Sequence, residues 1–294
     1  MADGARPRGL PAVTAGPVPD PAIDGSGTAR ARCVLAPNPS PMTLDGTNTW
    51  LIAEPGSEAA IVIDPGPLDE AHLRRVRDLA AQAGQRVAVI VLTHRHSDHS
   101  AGAARFAALT GAPVRAVDPA QRLGDEGLAA GDVLTQAGCE LRVVATPGHS
   151  SDSVCLQLPA DSAVLTGDTV LGRGTTVIGG DGSLADYLAS LRRLRALTEQ
   201  QALRVLLPGH GPLLASPAAT LDYYLDHRAE RLAEVAAALA SGDTTIDQIV
   251  ARVYAAVPRE VWPAAAVSVG AQLDYLAGQG AVPPGVTWPG RAER

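Results

Sequence analysis

Lysine is missing from this 294-residue chain: all 24 basic residues are arginine. Together with abundant alanine and 30 glycines, the bias reads as the codon usage of a GC-rich bacterial genome rather than as a functional signal. Aromatic residues are scarce, with one Phe, three Trp and five Tyr. A core must therefore be filled by Val, Leu, Ile and Ala, and the stacking platforms used to hold single-stranded nucleic acid are largely missing. The three cysteines, Cys33, Cys139 and Cys155, are far apart and make no CxxC pair. That spacing excludes a disulfide framework and makes a reducing cytoplasm the expected compartment. No run of about 18 apolar residues occurs, so no membrane span and no membrane partner are expected. The first thirty residues lack the charged start and apolar stretch of a secretory signal. Positive charge is also in deficit: the net charge of −7 argues against a protein that coats nucleic acid, although a local arginine patch at a cleft is compatible with it.

What is present is a substantial hydrophobic fraction, 46% against 19% charged, as in a globular protein with a sizeable core. Residues 1–30 are rich in Pro, Gly and Ala and read as a flexible tail. Short apolar runs at Arg32–Ala36, Asn48–Ala53 and Ala59–Asp64 then read as consecutive strands. A helical period runs from Asp69 to Ala83, and Val87–Leu92 is an unbroken β-branched run typical of a strand buried on both faces. A polar loop, Thr93–Ser100, leads into a helix over 101–110. The second half repeats the plan, with strands at Leu141–Ala145, Ser153–Leu158, Ala163–Leu165 and Arg204–Leu207 and a helix over 183–198. Two halves of similar layout predict two sheets packed face to face with helices outside, over residues 31–216. From Pro217 the pattern becomes helical, through Leu221–Ala240, Thr245–Ala255 and Val261–Gly278, so residues 217–282 read as a small helical domain. It is either a simple cap or a winged helix with a rudimentary wing. Residues 283–294 read as a loose, Pro-rich tail.

The chemistry concentrates in Thr93-His94-Arg95-His96-Ser97-Asp98-His99. Three His and one Asp in six residues suit metal ligation far better than a connecting loop, because imidazole nitrogen and carboxylate oxygen are the ordinary ligands of Zn²⁺-like metals. In an extended loop His94 and His96 point to one side, while Asp98 and His99 turn the other way as a helix begins, so one loop can serve two ions. Further ligands occur just past predicted strands: His149 in Thr146–Ser150, Asp168 in Leu165–Thr169 and His210 in Leu207–Gly211. Gly and Pro around each allow the tight turns that hold a ligand in place. Five of the seven histidines fall in these contexts.

The run His94-x-His96-x-Asp98-His99, followed by His149, Asp168 and His210, resembles the complete signature of the metallo-β-lactamase superfamily, from about residue 30 to 215. Ile63-Asp64-Pro65-Gly66 is similar to that family's first motif. The resemblance implies an α/β fold, an αββα sandwich with metals at one edge. It implies that His94, His96 and His149 bind a first zinc or other divalent ion, that Asp98, His99 and His210 bind a second, and that Asp168 bridges them. Asp64 would support the loop from behind. It further implies a hydrolase in which the two cations bring a bridging water to hydroxide near neutral pH, with Asp98 orienting it as the catalytic carboxylate. Asp168 stands where the antibiotic-hydrolysing members usually carry Cys, which points away from β-lactam hydrolysis.

A longer resemblance, carried by Asn38–Ile52, Gly172–Val177, Tyr224–Arg228 and the helical C-terminus, is to the β-lactamase-like-protein branch, which includes a mitochondrial endoribonuclease of animals. It implies a winged-helix-like C-terminal domain and leans the activity toward a single-strand endoribonuclease or related phosphodiesterase, with Arg173, Arg228 and Arg231 as candidates to meet phosphates. For His227 a packing role is expected. The alternative is a thioesterase, glyoxalase II-like or acting on acyl carriers; the missing lysine counts against the glutathione-dependent kind. The third reading is a regulatory binding protein using the C-terminal module. Val261–Gly278 carries no Arg or Lys and makes a poor recognition helix, so no stable DNA binding is expected. The expected partner is thus a small-molecule ester or single-stranded RNA, with self-association left open.

Overall fold

The computed structural model describes residues 23–289. One sheet is formed in chain order by β1 (Ala31–Leu35), β2 (Asn48–Ile52), β3 (Ala59–Ile63), β4 (Arg86–Val91) and β5 (Val114–Arg115). The first three strands are an antiparallel meander, and β4 and β5 join it in parallel. A parallel step needs a crossover, and α1 (Glu70–Gln82) provides the one from β3 to β4. Asp69 caps it by accepting from the His72 backbone N–H at 2.7 Å, and the helix then lays His72, Leu73, Val76 and Ala80 inward. After α2 (Ser97–Ser100) and α3 (Ala103–Thr110) the second sheet follows the same scheme in mirror order. Its strands are β6 (Val133–Gln136), β7 (Cys139–Ala145), β8 (Val154–Leu158), β9 (Ala163–Gly167) and β10 (Val205–Pro208). The first four are antiparallel, and α4 (Leu184–Gln201) crosses over to place β10 parallel to β9.

Burial on both faces of each sheet explains the continuous apolar runs of β3, β4, β8 and β9. Between the sheets, Trp50, Ile52, Ile61, Ile63, Val89 and Val91 meet Leu134, Leu141, Leu156, Leu165 and Leu207. Outside the first sheet, Val62 and Ile90 pack on Leu73, Val76 and Phe106. Outside the second, Val164 and Leu206 pack on Tyr187, Leu191, Leu221 and Tyr224. The layers are therefore αββα. A separate core lies among α5 (Pro217–Ala240), α6 (Ile246–Val253) and α7 (Trp262–Gly278), built on Val235, Leu239, Ile249, Val269 and Leu273.

Several boundaries differ from the sequence reading. The edge strands β5 and β6 carry little apolar pattern: β5 has two residues, and β6 buries only Leu134. Of the N-terminal tail, residues 1–22 lie outside the described residues, whereas 23–30 are folded. Ile23 is in the inter-sheet core, and Arg30 is paired with Glu54 at 2.5 Å and Asp161 at 2.6 Å. Of the C-terminal tail, Val286 and Trp288 are buried against the last helices, and Thr287 donates to Thr244 O at 3.0 Å; residues 290–294 lie outside the described residues. An isolated bridge between Thr245 and Thr287 stands where hairpin strands would form a wing. The division expected at 216/217 falls instead inside α5, whose first half supplies Leu221 and Tyr224 to the sandwich and whose second half supplies Val235 and Leu239 to the helical core. Among the described residues no helix is long and apolar enough to cross a membrane.

Candidate metal centre

All seven expected ligands converge at one end of the sandwich because each follows the C-terminal end of a strand: His94 to His99 after β4, His149 after β7, Asp168 after β9 and His210 after β10. They form two groups, His94, His96 and His149 in one and Asp98, His99, Asp168 and His210 in the other, with the ligand atoms of each group within 4.8 Å of one another. The Asp168 carboxylate lies between them. It is 3.3 Å from His99 Nε2, 3.4 Å from His210 Nε2 and 3.7 Å from His149 Nε2 of the first group. Asp98 is 3.1 Å from His210 Nε2 and has a side chain 28% exposed; with the partly buried His96 and Asp168 it forms the open side of the cluster.

The rings are oriented from behind. His99 Nδ1 meets Asp64 Oδ2 at 2.9 Å, His149 Nδ1 meets Val177 O at 2.8 Å, His210 Nδ1 meets Gly46 O at 3.0 Å, and His94 Nδ1 meets Thr93 Oγ1 at 3.0 Å. A ring nitrogen engaged in this way leaves Nε2 of these four rings as the inward atom free to ligate. Asp64 is held in a left-handed conformation, φ 49°, after β3. From there it also accepts from the Thr93 N–H at 2.8 Å and hydroxyl at 2.6 Å, which ties the ligand loop to its own sheet. The Val154 N–H donates to Thr93 O at 2.9 Å and so joins the second sheet to the same point.

Protein atoms alone serve these nitrogens poorly. His149 Nε2 and His96 Nδ1 face each other at 2.8 Å, as do His99 Nε2 and His210 Nε2 at 3.2 Å, while buried His94 Nε2 and Asp168 Oδ1 have no hydrogen-bond partner. Converging lone pairs in a buried site are what a divalent cation satisfies, and the N/O donor set suits Zn²⁺-class metals. Burial and the neighbouring imidazoles hold His94 well below the usual imidazole range, leaving its lone pair free. Burial opposes protonation of His210 as well, but Asp168 and Asp98 outweigh it and hold its pKa at about 9. Asp168, despite burial, is kept ionised by His210 and His99.

Glycine permits the closest approach. A Cβ at Gly209 would lie 2.6 Å from Asp168 Oδ1 and 2.8 Å from His99 Cε1. Asn48 locks the same turn by donating to Pro208 O and Gly211 O at 2.9 and 2.8 Å. Thr93, Tyr187 and Tyr224 also support the site. Thr93 and Tyr224 lie inside the motif segments named from the sequence and Tyr187 in none, and only the packing shows what the three side chains hold.

The arginines expected at the cleft are engaged. Arg228 is buried, donates to Thr176 O and stacks 5.1 Å over the Tyr187 ring, so the phosphate-contact role expected for it is replaced by a structural one. Arg231 donates to Val253 O and pairs with Glu234 at 2.9 Å. Arg173 is paired with Asp45 and keeps 40% of its side chain exposed. Arg95 is shared by Asp118, Asp152 and Asp181. His227 packs near the Tyr223 ring, and burial pushes it down to about 4.

Residues 42–210 match the metallo-beta-lactamase superfamily, and residues 245–283 match the beta-lactamase associated winged helix domain. The chain is 32% identical to an atrochrysone carboxyl ACP thioesterase of Aspergillus fumigatus, over 78% of this chain and 74% of that protein. It is 31% identical to a beta-lactamase-like protein 2 homolog of Drosophila melanogaster, over 84% of this chain and 87% of that protein. A metallo-beta-lactamase family protein from Thermus thermophilus superposes with a TM-score of 0.70 at 23% identity, covering 85% of this chain and 94% of that one. The two-sheet sandwich, the seven converging candidate ligands and these matches agree: the chain belongs to the metallo-β-lactamase superfamily of hydrolases and carries a winged helix domain at its C-terminal end.

Proposed function

We propose that the chain is a dinuclear zinc hydrolase acting on an acyl thioester, with His94, His96 and His149 holding one ion, Asp98, His99 and His210 the other, and Asp168 shared. The observation that carries the metal reading is the Asp168 carboxylate within 3.3–3.7 Å of imidazoles from both groups. Divalent ions bound there supply an activated water and polarise the scissile carbonyl. Asp98, ionised through its bond to His210 although burial opposes this, holds a proton acceptor at the open side. Asp64, Val177 and Gly46 fix the tautomers of the ligand histidines.

The substrate class rests on the arginines. Arg95, Arg173, Arg228 and Arg231 are each held by an acidic side chain or a carbonyl, which disfavours an extended polyanion and suits an electrically modest carbonyl substrate. An acyl-carrier thioesterase among the relatives supports the same class. A second reading, single-stranded RNA or another phosphodiester, is favoured by Arg173, whose exposed guanidinium can exchange Asp45 for a phosphate. Zinc-loaded protein assayed in parallel on an acyl-pantetheine thioester, a single-stranded oligoribonucleotide and a bis-aryl phosphate separates them. Metal-dependent turnover of the thioester is expected. Cleavage confined to the RNA would overturn the thioester assignment in favour of the second reading.

A further inference from the structure

Residues 168–182 connect β9 to α4 without helix or strand, yet Thr169, Val170, Thr176 and Ile178 are buried. A buried irregular segment needs partners for its backbone groups. Three side chains from two helices supply several of them, beside Thr166, which donates to Val170 O, and His210 O, which accepts from the Gly172 N–H. Tyr187 on α4 donates to Thr169 O at 2.7 Å. Tyr224 on α5 accepts from the Leu171 N–H at 2.9 Å and donates to Gly174 O at 3.0 Å. Arg228, one turn further along α5, donates to Thr176 O while lying over the Tyr187 ring. In a chain with five tyrosines, two are buried on this one loop.

The clamped segment starts at a ligand and ends on another. Asp168 opens it, and at its far end Val177 O and Thr176 Oγ1 lie 2.8 and 3.2 Å from His149 Nδ1. That contact turns His149 Nε2 toward His96. The buried Arg228 guanidinium finds the Thr176 carbonyl and the Tyr187 ring while its Nε has no hydrogen-bond partner, so the charge-assisted bond to Thr176 O is its main polar anchor. The rings of the other group are braced at Nδ1 from elsewhere, His99 by Asp64 and His210 by Gly46 O, and the segment reaches that group's side chains only at Asp168, although its Gly172 N–H donates to the His210 backbone O at 2.8 Å. The second half of α5 belongs to the helical core, and Val267 of α7 touches the same segment at Gly179, where a Cβ would lie 2.0 Å from Val267 Cγ1.

We propose that Arg228 is a positioning residue that, with Tyr187 and Tyr224, presents His149 to the ion held with His94 and His96, so that this clamp on the loop between β9 and α4 weighs on the affinity of that metal site more than on the other. This rests on the dinuclear reading given above. The test is Zn²⁺ titration of the metal-free full-length chain against a chromophoric chelator, alongside circular dichroism. In Arg228→Met one of the two binding constants should fall about 10–100-fold, the usual cost of losing a residue that orients a ligand, with the other within about threefold. Arg228→Lys, which keeps a charged donor, should recover most of the loss. In a His149→Ala background, Arg228→Met should have no further effect on the remaining site, since the two act through one contact. If Arg228→Met does not fold, Tyr224→Phe should show the same site-selective loss in smaller measure. Two constants that fall together, two that do not move, or an undiminished effect in the His149→Ala background would each overturn the proposal. A wild-type chain that binds no zinc would instead overturn the metal reading itself.

Discussion

Asp168 and Gly209 show how narrowly single residues define the centre. The Asp168 carboxylate touches imidazoles of both groups, so removing it unties the two halves of the site rather than one ligand. Asp168→Ala should lower bound metal and reduce turnover by at least about 100-fold, beyond the usual effect of a residue that only orients a ligand. Metal analysis with kinetics checks this, and full turnover with both ions retained would refute the shared role. Gly209 is subject to a steric limit instead. The methyl of Gly209→Ala would lie within 2.6 Å of Asp168 Oδ1. The substitution should weaken zinc binding while the far-ultraviolet spectrum stays native. Unchanged zinc affinity would show that the turn can shift without moving Asp168.

At the scale of elements, α5 has two allegiances. Leu221 is buried in the sandwich and Val235 in the helical core, both along one helix. A continuous helix anchored in two cores couples their unfolding. Leu221→Ala should cost about 2–5 kcal/mol, and Val235→Ala somewhat less because it deletes a smaller side chain. Each should shift a single thermal transition recorded by calorimetry. Two separated transitions in either variant would show that the winged helix domain unfolds on its own. The same helix exposes the limits of sequence reading. Its apolar period is evident between Leu221 and Ala240, but no periodicity reveals that its two ends face different cores. For that reason Arg228 and Arg231 read from the sequence as candidates to meet phosphates, although the fold buries the first and occupies the second.

For the molecule as a whole, metal and protons compete for the same nitrogens. In the metal-free chain the His210 pKa is raised to about 9, above an unfolded value of about 6.5, by Asp168 and Asp98 against the opposing effect of burial. A raised folded-state value means that this protonation stabilises the metal-free fold fully below about 6.5 and that the gain is lost as pH climbs through about 9. Zinc needs the neutral ring, so its affinity rises over the same interval. The thermal midpoint of zinc-loaded protein minus that of chelator-treated protein should therefore widen between about pH 6.5 and 9. Scanning calorimetry at several pH values measures it, and a difference that is flat or shrinks with pH would contradict the assignment of His210 as a ligand.

The order of apolar runs, the ligand residues and the glycine turns around them are local properties, so the sequence alone determined two similar αβ halves and one cluster able to hold two ions. Each candidate ligand follows a strand, and strand ends are legible from neighbouring residues. The grouping of the donors and the support from Asp64 were implied by the family resemblance; tertiary structure alone decided how Val177 and Gly46 orient the rings and that the arginines expected to meet phosphates already have partners. Residues 23–30 and 283–289 illustrate the same divide, because Pro- and Gly-rich composition predicts a tail whereas Ile23 and Trp288 find hydrophobic cores to join. Burial is a property of contacts between segments far apart in the chain, such as Arg228 against Thr176 or Asn48 against Pro208. No pattern of neighbours along the chain encodes those contacts; the packing of the two sheets and α5 creates them.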